Sequence, residues 1–115
     1  MTTSRYSISK GAILQYICKG ELPPPSRSVF QVMGTRKIAN PPGAGSNGNM
    51  LKYRVSISDG NHRFSQAVLM LDDESQVPQD LSLISIDQDQ RNMVKHVNGK
   101  LILVIGGFQV CNIFC

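Results

Sequence analysis

The chain has 115 residues, a formal net charge of +4 and an apolar fraction of 41%. That length supports one domain with its own core, and the composition excludes a disordered chain. No stretch approaches the ~18 apolar residues of a membrane span, no apolar signal core stands at the N-terminus, and an odd count of three cysteines (Cys18, Cys111, Cys115) argues against a disulfide framework. The expectation is a cytosolic or nuclear protein.

Charge is unevenly spread. Between residues 22 and 58 stand five cations (Arg27, Arg36, Lys37, Lys52, Arg54) and no acid. Between 72 and 90 stand six acids (Asp72, Asp73, Glu74, Asp80, Asp87, Asp89) and no cation. A positive side and a negative patch are expected, the first inviting an acidic ligand.

In chain order, residues 1–7 read as a loose arm. Ser9 is placed to cap a short helix whose apolar positions, Ile8, Ala12, Ile13, Tyr16 and Ile17, recur at helical spacing up to the stop signal Lys19-Gly20. So short a helix suits the plug of a barrel end, and Pro23-Pro24-Pro25 makes a stiff link after it. Val29–Met33 opens a first strand that runs raggedly to Ile38, and residues 40–49 (NPPGAGSNGN) form a loop by composition.

Residues 52–70 carry the clearest pattern. Leu51, Tyr53, Val55 and Ile57 alternate with Lys52, Arg54, Ser56 and Ser58, the period of a strand with one buried face. Asp59-Gly60 supplies a turn, and Phe64–Leu71 returns. A two-residue turn sets Val55 opposite Phe64. An odd-length loop sets Phe64, Gln66 and Val68 beside Lys52 and Arg54. Residues 72–81 read as an acidic loop or single helical turn. Leu83–Ile86 starts a fourth strand that Met93–Val97 continues, and Asn98-Gly99 turns into a last strand, Lys100–Val110, bent at Gly106-Gly107. The expected fold is therefore all-β, five strands with a short N-terminal helix. A small closed barrel of OB type is the natural form, since closure removes exposed edges, although an SH3-like barrel fits the composition too.

Taken together, ISKGAI (8–13), ICKGE (17–21), VFQVMGTRKI (29–38), KYRVSISDG (52–60) and NGKLILVI (98–105) resemble, in order and rough spacing, the N-terminal OB-fold of the large subunit of replication protein A, the eukaryotic single-stranded DNA-binding complex. The resemblance is good over residues 8 to about 71, adequate over 98–105 and poor over 82–97. The 40–49 loop is longer than the family's, and the sequence ends at Cys115, where the family continues into further domains. The resemblance implies a nuclear recruitment domain in DNA replication, repair and damage signalling, spanning 8–110 between the arm and a tail at 111–115. It implies a basic cleft that receives acidic amphipathic helices of partner proteins and binds single-stranded DNA weakly. Contact with the complex's other subunits is expected through regions outside this sequence.

Position by position, the resemblance puts the cleft cations at Arg36, Lys52, Arg54 and Lys100. The family often has arginine at the second and last of these, and lysine keeps the charge but loses the planar fork. It favours the odd-length hairpin loop, giving a floor of Phe64, Gln66 and Val68, with Ile102 added in phase with Lys100. The competing reading makes single-stranded DNA the main ligand, but the chain has no Trp, and Phe64 is its one candidate stacking platform. Enzymatic chemistry is not expected. Ser58, Asp59 and His62 are ordinary turn residues, His62 and His96 stand alone without metal spacing, and Cys18 reads as a buried thiol. No cofactor or metal is expected.

Overall fold

A computed structural model describes residues 8–38 and 51–111. The expected arm at 1–7, the loop at 40–49 and the tail beyond Cys111 lie outside these residues. Among the described residues no helix is long and apolar enough to cross a membrane.

The protein is mostly β. Among the described residues, in chain order, are one α-helix, α1 (Ala12–Gln15), and seven strands: β1 (Val29–Lys37), β2 (Leu51–Ser58), β3 (Arg63–Leu71), β4 (Leu83–Ile86), β5 (Met93–Val97), β6 (Lys100–Ile105) and β7 (Phe108–Cys111). They form one sheet in the order β5-β6-β3-β2-β1-β4-β7. Every pairing is antiparallel except β3 with β6.

Seven strands replace the expected five because two of the expected strands are broken. The segment 87–92 does not carry β4 on into β5. Asp89 accepts from Arg91 N (2.9 Å) and Asn92 N bonds Asp89 O (2.9 Å), a tight turn that sends the chain elsewhere. β4 then pairs with β1 and β7, whereas β5 pairs with β6. The last strand breaks at Gly106-Gly107 into β6 and β7, which take second and last place in the sheet order. A link this short spans at most about 11 Å, so the sheet curls until its distant strands approach. Along the hydrogen bonds it stays open: among the described residues no ladder joins β7 to β5 or β3.

Phe30, Val32, Val55, Ile57, Ala67, Leu69, Ile84, Leu103 and Ile105 are fully buried on the inner face. α1 is shorter than its apolar spacing predicts, and a 3₁₀ turn, Ile17–Lys19, completes the stripe. Ala12, Ile13 and Ile17 reach the core all the same. Ser9 does not cap this helix. Its hydroxyl accepts from Val29 N (3.1 Å), tying the first turn to β1, and Gly11, at φ 83°, takes the N-cap position. Cys18 is exposed, not buried: in the 3₁₀ turn it is Ile17 whose side chain points inward.

Candidate functional site

The outer face of the sheet is built row by row from the register. Arg36 on β1 stands opposite Arg54 on β2, and Arg54 opposite Val68 on β3. Val68 pairs with Val104 on β6, and Val104 with Met93 on β5. Directly opposed residues share a face. Five strands thus carry one continuous row, about 19 Å long at ordinary strand spacing. It points outward, because the alternating neighbours Val55, Ala67 and Leu103 are fully buried on the other side.

Arg36, Lys52 and Arg54 are exposed at one end of this face, with Lys52 opposite Met70. In the middle, Val68, Met70, Ile102 and Val104 are half-buried, and Met93 is 44% exposed. At the far end Lys95 stands opposite Ile102, and Lys100 opposite Val97. The result is an apolar strip between two groups of cations.

Like charges directly opposite across a ladder repel, and Arg36 and Arg54 are placed that way. Among the described residues the ion pairs are Lys37–Glu74 (2.9 Å) and Arg91–Asp89 (2.8 Å); none involves Arg36, Lys52, Arg54, Lys95 or Lys100. The segments outside the described residues hold no Asp or Glu side chain. Lys37 sits on the inner side of β1's end, opposite Tyr53, and its pKa is raised by its hydrogen bond and attraction to Glu74.

Most of the expected site residues come together, with one exception. Arg36, Lys52, Arg54, Gln66, Val68, Lys100 and Ile102 share the outer face. Phe64 does not: it stands opposite buried Ile57 and packs against the core. The cause is the loop: Ser58 pairs with Arg63, so it holds the four residues 59–62 and not the odd number expected, and Phe64 falls opposite Ile57. A bulge farther on, with Ser65 and Gln66 together against Ser56, then returns Gln66 and Val68 to the outer face. The Ser56 and Ser65 hydroxyls, 3.1 Å apart, mark the spot. On the far hairpin, Val104, Met93 and Lys95 went unnamed in the sequence reading, as did Met70 on β3. The signal for the first three was present, since a two-residue Asn98-Gly99 turn fixes Lys95 against Ile102 and Met93 against Val104. Asn98 (φ 51°) and Gly99 (φ 79°) do adopt the paired positive φ of such a turn.

The face is held at two joints. Asp59, fully buried, accepts from Ile13 N (2.9 Å), Asn61 N (2.8 Å) and His62 N (2.7 Å), so one carboxylate ties the β2–β3 loop to α1. Burial pushes its pKa upward, but those backbone donors and nearby His62 outweigh it and hold the carboxyl below its ordinary value. Asn92 forms the second joint. Its amide bonds Asp87 O (2.6 Å) and Gly107 O (2.8 Å), and its oxygen accepts from Gly106 N (2.6 Å) and Gly107 N (2.9 Å). The chain packs so tightly there that a Cβ on Gly106 would fall 2.6 Å from Arg91 Cβ.

No protein-family model matches the sequence, and a search of the curated proteins finds no match. The functional reading rests on this geometry and on the motifs of the sequence.

Proposed function

We propose that this chain is a recruitment domain of the kind it resembles, the N-terminal OB-fold of the replication protein A large subunit, acting in the nucleus in replication, repair and damage signalling. Its outer sheet face binds acidic amphipathic helices of partner proteins. The observation that carries this reading is the row Arg36–Arg54–Val68–Val104–Met93, in which unpaired cations border an apolar strip. An amphipathic acidic helix matches both features: apolar burial supplies affinity, and charge supplies association rate and partner choice. The connectivity also supports it. A three-strand meander whose last strand runs parallel to a later hairpin strand, in a sheet curled on itself, suits an OB-type barrel.

Single-stranded DNA is a weaker ligand of the same face. Stacking on an aromatic contributes about 1–3 kcal/mol per base, and no described residue on this outer face is aromatic, Phe64 being packed on the core. What remains is phosphate attraction, which falls steeply with salt.

The test is a backbone NMR titration with an acidic amphipathic peptide and, separately, a single-stranded oligonucleotide. The peptide is expected to shift Arg36, Arg54, Val68, Ile102 and Val104 at micromolar concentrations, and the oligonucleotide only at low salt. Tight oligonucleotide binding at physiological salt would replace this reading with a DNA-binding one. Val68→Ala should weaken an amphipathic peptide more than a poly-acidic one; equal losses count against an apolar floor.

A further inference from the structure

A pocket opens where the end of β3 runs beyond its ladder with β6. The ladder between β3 and β6 stops at Leu69 and Ile105, because Gly106-Gly107 turns the chain away into β7. Met70 and Leu71 of β3 keep their partners on β2 but have no ladder partner on the opposite side. β7 is likewise paired only with β4. Among the described residues, no backbone hydrogen bond closes the gap between these two free edges.

Both edges line one pocket of about 850 Å³, within the size range of ordinary ligand sites. Its apolar wall includes Leu83, Val110 and Leu81, and the last two are 43% and 61% exposed. Leu81 is held at φ 70°, a left-handed conformation that disfavours leucine, and such strain gathers at working sites. Asp72 and Asp87 also line the pocket, with Asp73 and Asp80 beside it in sequence. Among the described residues the one cation of the lining, Arg91, is engaged by Asp89 (2.8 Å).

We propose that this pocket is a second recognition site, taking an extended basic segment of a partner protein as an added strand between β3 and β7. Two open strand edges facing one cleft offer main-chain hydrogen bonds to an inserted strand. Alternate side chains of that strand enter the apolar wall, and Lys or Arg between them meet Asp72 and Asp87. The site differs from the outer face in its geometry, a strand rather than a helix, and in the sign of the charge it selects. The domain thereby bridges an acidic partner and a basic one.

The experiment uses the 115-residue chain, ¹⁵N-labelled, titrated with acetyl-Val-Lys-Val-Lys-Val-amide and with its counterpart carrying Glu in place of Lys. The basic peptide is expected to shift Leu71, Leu81 and Val110 and to slow amide exchange in β7, while the acidic peptide leaves these residues unmoved. Asp72→Lys, at an exposed side chain, should lower affinity for the basic peptide at least tenfold and leave acidic-helix binding at Arg54 intact. Asp72→Lys with Asp87→Lys should lower it further. Absence of shifts at millimolar basic peptide, or shifts confined to the outer face, would overturn the proposal. So would pocket shifts that grow with protein concentration alone, which would assign the pocket to a second copy of the chain.

Discussion

The β2–β3 and β5–β6 hairpins supply the two halves of the cationic face, yet they are secured at opposite ends. The first is fixed at its tip, where buried Asp59 binds its own loop and the start of α1. The second is fixed at its base, where Asn92 clasps the Gly106-Gly107 bend; its own tip is free, and a Cβ on Gly99 would meet nothing within 4 Å. β5, moreover, is an edge strand exposed over most of its length. The contrast predicts a rigid wall and a compliant one. Arg54 and Val68 belong to the rigid wall, and Lys95, Lys100 and Met93 to the compliant one.

The comparison can be broken most directly at Asp59. Asp59→Ala strands the buried Ile13 N–H and unties the two loop donors, and should destabilise the protein by about 3 kcal/mol in urea unfolding. Its charge adds a pH signature. Because the folded-state pKa lies below the ordinary value of 3.8, the contribution is fully present above that value and is lost as pH falls through the folded pKa. The stability gap between wild type and Asp59→Asn should accordingly narrow below about pH 4; a gap constant down to pH 2 would show that the carboxylate charge is not what matters.

Asn92→Ala comes next, at about 2 kcal/mol, since the Gly106 and Gly107 amides and the Asp87 carbonyl lose this partner, while Gly107 O keeps Asp87 N (3.2 Å). It should also loosen β5 and β6 selectively, seen as faster amide exchange there while β2 and β3 stay protected. Gly99→Ala is smaller, about 1 kcal/mol, and reports only the positive φ of the turn, as nothing crowds the added carbon. Arg54→Glu sharpens the comparison from the functional side. It relieves the opposition to Arg36 and should move stability by less than about 0.5 kcal/mol, while abolishing acidic-peptide binding. A large loss of stability would show Arg54 to be structural.

What could be read from the sequence follows the range of the forces involved. The alternation in 51–58 and the turn residues at 59–60 and 98–99 are local, and they placed the strands that flank both turns and the outward phase of Lys52 and Arg54; Arg36, Val68 and Lys100 entered only through the resemblance. The β2–β3 bulge is not local. Nothing in the letters Ser65-Gln66 announces that both will oppose Ser56, and that shift, after a four-residue loop, is what parts Val68 on the face from Phe64 on the core. The two strand breaks escaped for a related reason. Asn92 reads as an ordinary loop residue until the fold brings it to Gly106-Gly107, fourteen residues away along the chain. Asp59 was legible as a turn residue but not as an anchor, because its partner Ile13 lies 46 residues distant.

The parallel pairing of β3 with β6 has a kinetic consequence. Each hairpin closes a short loop and can form within about 1–10 μs. Joining Ala67–Leu69 to Leu103–Ile105 closes a loop of about 35 residues, whose entropy must be overcome before any contact repays it. The junction should therefore form late and open early. Val68 and Val104 meet at that junction, so the recognition face exists only once the slow step is complete. A partner that grips both valines would hold the junction shut and slow unfolding of the whole sheet.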